Sequence, residues 1–432
     1  MDARVTLSPD GTVTEPDAAC RGDTWIRHGT PAFRRANLAL FAAGVSTFGL
    51  LYCVQPLMPE FTRDYGVSAA TSALSLSVTT AVLAVAMLFA GALSDSWGRK
   101  RVMSLSLFSS AVLVLLTALV PGWETLLVLR TLLGLTLSGL PAVAMTWLSE
   151  EVHADSIGLG MGLYISGNAI GGMAGRIVSG IGAEWFGWRG GIALVGVVGL
   201  ASAFLFWRTL PPSRHFTRRP LQARALLERF AALFRDRALP WLFVEGFLLL
   251  GAFVTVYNYL GYRLLAPPYD LSQAAVGLIF AVYVVGMFSS PWMGHLAGRL
   301  GRRRVLWTAF VLVLAGLGLT MAASVWAILA GLVVLTFGFF GGHSIVSSWV
   351  GRRGGAVRAQ AASMYLFAYY MGSSIAGAAG GLFYADAGWP GVGAFVGALS
   401  LAGLGIAWHL HRIPPLTGDY VPPTPMSHGA MG

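Results

Sequence analysis

Charge is what this chain has least of. Asp, Glu, Lys and Arg make up 11% of its 432 residues, where a soluble domain carries about 25%. That deficit excludes an ordinary water-soluble fold. The apolar remainder, 56% hydrophobic with a mean hydropathy of +0.67, exceeds what one core can bury and must face lipid. Acids are scarcer than bases, 19 against 29, for a net charge of +10. Only two cysteines occur, Cys20 in a polar stretch and Cys53 in an apolar run, so neither a disulfide framework nor a metal site is expected. No Gly-x-x-x-x-Gly-Lys-Ser/Thr phosphate loop is present, which excludes an ATP-driven pump of that type. No convergent catalytic set stands out, so neither an enzyme nor a cofactor is expected. Met1 to Pro31 lacks an apolar core and is not expected to be a signal peptide.

Glycine and long apolar runs are abundant instead. The 55 glycines fit membrane helices, which approach closely where side chains are small. Runs of about 20 apolar residues, enough to cross a bilayer, fall near 36–58, 70–93, 102–120, 124–148, 157–183 and 190–209. After a polar interval they resume near 240–263, 273–297, 304–323, 325–349, 359–384 and 390–410. The fold expected is therefore an all-α membrane protein with twelve transmembrane helices. They divide into two pseudo-symmetric six-helix bundles, 36–209 and 240–411. A disordered tail over 1–35, a linker over 210–239 and a disordered tail over 412–432 complete the expectation. In the linker, Ala223, Leu226, Leu227, Phe230, Leu233 and Phe234 share a helical face, with Arg224, Glu228 and Arg235 elsewhere. That spacing fits an amphipathic helix on the inner leaflet, or a plain tether.

Orientation follows from where the basic residues lie. One side carries Arg34 and Arg35, Arg99 to Arg101, the 208–237 interval, Arg299, Arg302 to Arg304, Arg352, Arg353, Arg358 and Arg412. The other carries only Arg63, Arg189 and Arg263. Both termini are expected in the cytoplasm, in a bacterial inner membrane. The basic excess then reflects topology, and nucleic-acid binding is not expected.

The two halves repeat one another. Gly91-Ala-Leu-Ser-Asp95-Ser-Trp-Gly98-Arg99-Lys100-Arg101 returns as Gly294-His-Leu-Ala-Gly298-Arg-Leu-Gly301-Arg302-Arg303-Arg304, 203 positions on. Gly167-Asn168-Ala-Ile-Gly171-Gly172 is echoed by Gly372-Ser-Ser-Ile-Ala-Gly377, and Gly187-Trp188 by Gly388-Trp389. A repeat at half-length reads as two similar bundles joined end to end.

These strings resemble signatures of the major facilitator superfamily. Gly91-x-Leu-x-Asp95-x-x-Gly98-Arg99-Lys100-Arg101 resembles its signature between spans two and three. Arg130-Thr-Leu-Leu-Gly134 is similar to the fourth-span signature of proton-coupled efflux members. Gly167-Asn168-Ala-Ile-Gly171-Gly172 resembles the fifth-span antiporter signature, with Asn168 where proline is usual. Tyr52-Cys-Val-Gln55-Pro56 and Tyr257-Asn258-Tyr259 resemble the acriflavine-sensitivity branch, which handles drug and sugar efflux. The resemblance implies two bundles rocking about a central site, driven by a proton gradient.

The basic turns are the expected conformational latch: Gly91, Asp95, Gly98, Arg99, Lys100 and Arg101 in one copy, Gly294, Gly301, Arg302 and Arg303 in the other. Asp95 and Arg99 are one helical turn apart and can pair; Arg358 is a second partner for Asp95. Because Gly298 replaces the acid in the second copy, Glu150 and Glu151 are expected to pair with Arg302 and Arg303. Charges inside spans mark substrate or proton paths. Proton coupling is assigned to Arg130, Glu245 and His343. Arg130 could instead hold backbone carbonyls or Gln55, and Glu245 could be a structural pair near the inner interface. The expected substrate-binding set is Gln55, Tyr257, Asn258, Tyr164, Asn168, Arg176, Tyr283, Tyr365 and Tyr369; tyrosine offers a flat face and one hydroxyl. Arg176 has snorkelling to the outer headgroups as its rival role. Gly167, Gly171, Gly172 and Gly175 form a smooth stripe expected to pack on a neighbouring helix, the eighth across the two-fold.

Together these point to a monomeric secondary transporter exporting a small amphipathic organic solute in exchange for protons, with the bilayer as its other partner. A symporter importing an organic anion or sugar-like solute is the first alternative. A sensor or lipid-handling membrane protein is the second.

Overall fold

The computed structural model describes residues 25–217 and 223–414. Among the described residues, nine helices are long and apolar enough to cross a bilayer. Two of them, Ala154–Thr209 and Arg358–Arg412, have double length and break at Gly187 and at Ala387-Gly388. Each therefore supplies two spans. Arg302–Leu319 is also span-length, its three leading arginines notwithstanding. The result is twelve spans. The first runs Pro31–Tyr52, tightens through a 3-10 turn at Gln55–Leu57 and continues as Met58–Tyr65. Ala69–Trp97 and Arg99–Thr117 follow, and the fourth joins Trp123–Leu137 to Pro141–Glu151. After the fifth and sixth comes the seventh, Leu239–Leu265. The eighth is built of Gln273–Ile279, a 3-10 turn at Phe280–Tyr283, and Val284–Leu300. Arg302–Leu319 is the ninth, Val325–Arg353 the tenth. Arg358–Arg412 holds the last two.

Side chains that satisfy first-turn N–H groups start several helices. Thr30 accepts from the Phe33 N–H, Ser68 from Thr71 and Ser272 from Ala275. Asp236 accepts from Ala238 and Leu239 and also binds the Arg353 guanidinium at 2.9 Å. The turns Gly98 and Gly301 have φ of 97° and 93°, values that favour glycine over residues with a Cβ. That is why both copies of the basic turn keep glycine there.

The duplication is visible in bonds as well as letters. Lys100 donates to the Leu210 carbonyl at the end of the sixth span (2.5 Å), and Arg303 to the Ile413 carbonyl at the end of the twelfth (3.2 Å). Both residues of the second pair lie 203 positions after the first. In the same way Gly167 sits against the Phe41 carbonyl of the first span, and Gly372 against the Phe247 carbonyl of the seventh.

Several expectations are corrected. The glycine stripe does not pack on the eighth span. Cβ atoms on Gly167, Gly171 and Gly175 would strike the backbones of Phe41, Val45 and Gly49 in the first span, inside the same bundle. Gly172 faces the Arg176 side chain and Phe48. The fifth and eighth spans do touch, but at Gly180 and Gly277, nearer the end away from the chain termini. The first helix starts at Pro31 rather than 36, and Ile26 is buried in a bridge to Val152. A helix forms over Ala223–Leu233. Leu233 at its end is buried and Phe234 meets the Phe243 ring edge-on; the Ala223, Arg224, Leu226 and Leu227 side chains lie outside the described ones, as do residues 1–24 and 415–432.

Backbone contact at Gly171 sets a stability prediction. Gly171→Val should destabilise the purified protein by about 1–3 kcal/mol, the usual cost of overpacking. Gly91→Ala should be near neutral, because open space surrounds Gly91. Thermal unfolding in detergent checks both; equal shifts would count against the packing described.

Candidate functional site

The first span breaks where Pro56 and Pro59 interrupt its N–H ladder. The last bond of the regular helix runs from Cys53 N–H to the Gly49 carbonyl, which leaves carbonyls beyond Gly49 short of helical donors. Arg130 supplies them. Its Nη1 and Nη2 donate to Leu50 (3.3 Å) and Leu51 (2.7 Å), and its Nε to Ser75 of the second span (2.8 Å). Arg130 is fully buried. Neither Gln55 nor an acid is among these partners. Its place is thus the backbone-carbonyl alternative, and it pins the break that positions Gln55.

Gln55 lies at the meeting of the halves. Its Nε2 donates to Asn258 Oδ1 of the seventh span at 2.8 Å, and the two positions are 203 residues apart. Repeat-related residues therefore meet across the pseudo-two-fold axis. Gln55 Oε1 accepts from Arg176 Nε at 2.6 Å, and Arg176 Nη1 donates to the Gly172 carbonyl at 2.5 Å. The guanidinium carbon stands 4.0 Å from the Tyr52 ring centroid, 4.8 Å from Tyr283 and 5.2 Å from Phe280. Arg176 is 2% exposed, so it does not snorkel to the headgroups. Nearby, Gln273 donates to the Pro56 carbonyl, Ser374 to the Ser77 carbonyl, and Tyr262 to the Met58 carbonyl. All of these join the two bundles in the half of the molecule away from the chain ends, which closes that face.

From Arg176 an aromatic wall runs into the second bundle. Tyr283 packs on Phe253 (5.3 Å) and Tyr257 (5.1 Å), and the Tyr257 hydroxyl shares a hydrogen bond with Thr336 at 2.8 Å. Phe253 stacks on Phe339 at 3.8 Å, and Phe339 faces both His343 and Tyr369. His343 Nδ1 and the Tyr365 hydroxyl are 2.8 Å apart, and the Tyr369 ring is 4.7 Å from His343. The Tyr365 ring also covers Gly246, next to Glu245. Glu245 is fully buried, and neither carboxylate oxygen has a hydrogen-bond partner among the described residues. It is not the structural ion pair that was the alternative.

Thus Gln55, Asn258, Arg176, Tyr257 and Tyr283 come together at the closed end, with Tyr365, Tyr369, His343 and Glu245 along the wall. Tyr164 and Asn168 do not join them. Asn168 and the Tyr164 carbonyl face Gly44 of the first span, and the Tyr164 side chain lies in a core shared with Leu40, Leu107 and Trp147. Tyr52, Phe280 and Gln273 belong to the site but were not expected there. Tyr52 stood in the same string as Gln55; Phe280 and Gln273 carried no sequence signal.

The latch also differs in part. Asp95 pairs with Arg99 at 2.5 Å as expected, but Glu150 joins it there, at 2.8 Å. Glu150 is therefore not paired with Arg302. Glu151 accepts from the Arg214 and His215 N–H groups of the linker, not from Arg303, which holds Ile413. Arg302 donates to Ser348. No ion pair between Asp95 and Arg358 occurs among the described residues; Arg358 lies along Gly351 instead. Gly91 has no close neighbour, while its carbonyl accepts from Ser94. Gly294 faces Ser344. Lys100 holds Leu210, and Arg101 is exposed.

Two acids on one buried cation predict coupled mutations. Arg99 is 6% exposed, Asp95 and Glu150 35% and 28%. Asp95→Asn or Glu150→Gln alone leaves Arg99 one anion and should cost within about 1 kcal/mol. Together they strand a buried charge, and the double variant should lose about 3 kcal/mol or more. A double-mutant cycle on thermal stability in detergent measures the difference; simple additivity would contradict the shared-cation geometry.

Comparison with known proteins bears on this arrangement. The Major Facilitator Superfamily profile matches residues 40–273 and 248–426. The chain is 47% identical over 399 residues to the inner membrane transport protein YnfM of Escherichia coli K12, covering 92% of this chain and 96% of that protein. It is 48% identical over 389 residues to the MFS-type transporter YybF of Bacillus subtilis 168, covering 90% and 96%. Among solved structures, a bacterial homolog of the human lysosomal transporter Spinster, inward-facing and unoccupied, superposes with a TM-score of 0.76 at 14% identity, covering 89% of this chain and 98% of that one. The nucleoside transporter NupG follows at 0.72 and 16%, covering 87% and 99%. Those two likenesses concern the fold alone. With its repeated six-span bundles and matched profile, the chain belongs to the major facilitator superfamily.

Proposed function

We propose that this membrane transporter exports a small amphipathic organic solute in exchange for protons, as in the drug and sugar efflux branch, working as a monomer with both termini in the cytoplasm. Bonds between the bundles cluster at the face away from the chain ends. With the termini inside, that face is the periplasmic one, held shut by these bonds. Alternating access then breaks the Gln55–Asn258 and Ser374–Ser77 contacts and closes the inner face about the two basic turns. The residues proposed to shape that latch are Asp95, Glu150, Arg99, Lys100 and Arg303, with Gly98 and Gly301 fixing the turns.

One observation carries the coupling. Glu245 is a buried acid with both oxygens unpartnered, and an ionised carboxylate without hydrogen bonds is costly in such a place. A carboxyl that is neutral when sealed and ionised when wetted shifts the balance between the two states by its differential solvation. Tyr365 and His343, bonded to each other beside it, form the proposed relay to the cavity. Arg130 acts indirectly, by fixing the helix break. An importing symporter is the second reading, favoured by an Arg176 charge that no acid offsets and by Asn168 in place of the usual proline.

Reconstitution in liposomes with an imposed pH gradient tests this. Solute should be expelled against its gradient on the side from which protons enter. Glu245→Gln should abolish gradient-driven movement while keeping solute-for-solute exchange. Full gradient-driven movement in that variant would remove Glu245 from the mechanism; accumulation with the proton gradient would select symport.

A further inference from the structure

Arg176 carries a charge that the protein leaves unfinished. Two of its nitrogens are occupied, Nε by Gln55 and Nη1 by the Gly172 carbonyl, both neutral acceptors. Nη2 bonds to nothing among the described residues, and it is not among the polar atoms sealed from solvent without a partner. It is the edge of the guanidinium left without a hydrogen-bond partner among the described residues. No acid appears among its ion pairs. The other fully buried cation in this bundle, Arg130, differs in kind, since three backbone carbonyls take its three nitrogens. Glu245 is no counter-ion either. It lies twelve residues before Tyr257 on the seventh span, about 18 Å along a helix rising 1.5 Å per residue.

What surrounds that free edge has a definite chemistry. The Tyr283 hydroxyl is buried and has no partner, and its ring lies 4.8 Å from the guanidinium carbon. Tyr52, Phe280 and Tyr257 add flat apolar faces, with Tyr257 to Phe280 at 5.3 Å and Tyr257 to Tyr283 at 5.1 Å. An unpartnered guanidinium edge, and an unpartnered hydroxyl on a ring that the same guanidinium covers, match a carboxylate, which accepts from both donor types. Stacked rings match a planar body. A cationic solute would meet an uncompensated positive charge in a low-dielectric place. A neutral one would leave that charge as unpaired as it stands.

We infer that the Arg176 site takes planar organic monocarboxylates, with Nη2 and the Tyr283 hydroxyl holding the carboxylate and Tyr52, Tyr257 and Phe280 flanking the ring. This rests on the transporter reading above and names its substrate class. One cation left unmatched calls for one negative charge, so monoanions are preferred over dianions. Tyr283 sits in the 3-10 turn of the eighth span and Gln55 in that of the first. A bound carboxylate therefore touches the broken segment of one bundle and, through Arg176 and Gln55, that of the other. Occupancy bears directly on the contact that shuts the far face.

The test uses the full-length protein purified in detergent, with binding followed by calorimetry. The probes are benzoate, 1-naphthoate and indole-3-acetate, their uncharged amides, and benzylammonium as the cation. The acids should bind about tenfold or more tighter than the matching amides, the expected scale for hydrogen bonds to a charged group. Benzylammonium should not compete. Arg176→Gln should erase the preference for acid over amide, Arg176→Lys should keep part of it, and Tyr283→Phe should weaken the acids alone. Equal binding of acids and amides by the natural protein overturns the inference, as does a carboxylate preference that survives Arg176→Gln. If Arg176→Gln does not fold, the acid-to-amide ratio and Tyr283→Phe still decide. Flux in liposomes separates the two levels. Arg176-dependent binding of acids without any flux would sink the transport reading and leave the site. Flux of neutral or cationic solutes with no acid preference would sink the site assignment and leave transport.

Discussion

One hydrogen bond organises this molecule: Gln55 to Asn258, between repeat-related positions at the pseudo-two-fold axis. Everything at the closed face is arranged to make it. Two prolines break the first span so that Gln55 leaves the helix ladder. Arg130 absorbs the carbonyls the break exposes. Arg176 fixes the other end of the Gln55 amide. In a bilayer interior no water competes for such groups, so each polar atom must be met by protein, by ligand or by a local water-filled cavity. A chain of three polar side chains crossing between bundles therefore acts as a fastener.

The two buried arginines illustrate how context divides identical chemistry. Both lie within spans and both are buried. Arg130 spends its nitrogens on backbone carbonyls from two neighbouring spans and becomes a structural cap. Arg176 reaches a side chain that itself crosses the axis, under three aromatic rings, and keeps one edge unused. The difference comes from what their neighbours lack. A helix broken by proline offers surplus acceptors, whereas an aromatic lining offers faces but no anions.

Glycine does comparable sorting in the backbone. Where first and fifth spans meet, and where seventh and eleventh meet, main chains approach so closely that a single Cβ would collide. Those contacts hold each bundle rigid within itself. Contacts between bundles include the same close approaches, Gly180 against Gly277 and Gly381 against Ala70, together with hydrogen bonds and a shared apolar core.

Much of this was legible in the residues alone. Charge scarcity and run length give twelve spans; the half-length repeat gives two bundles; Gln55, Asn258, Arg176, Tyr257 and Tyr283 were nominated and do converge. Sequence spacing also paired Asp95 with Arg99, because one helical turn is local geometry. It could not place Glu150 on Arg99 or Glu151 on the linker, nor send the glycine stripe to the first span. Those choices depend on which helix lies beside which, and a membrane helix that is apolar all round carries no amphipathic face to announce its neighbour. The sequence by itself determined the number of spans, their duplication and the chemical inventory of the site. Tertiary structure alone decided which polar groups are satisfied and which, at Arg176 and Glu245, are left waiting, since a buried donor or acceptor is defined by its partners and those arrive from distant parts of the chain.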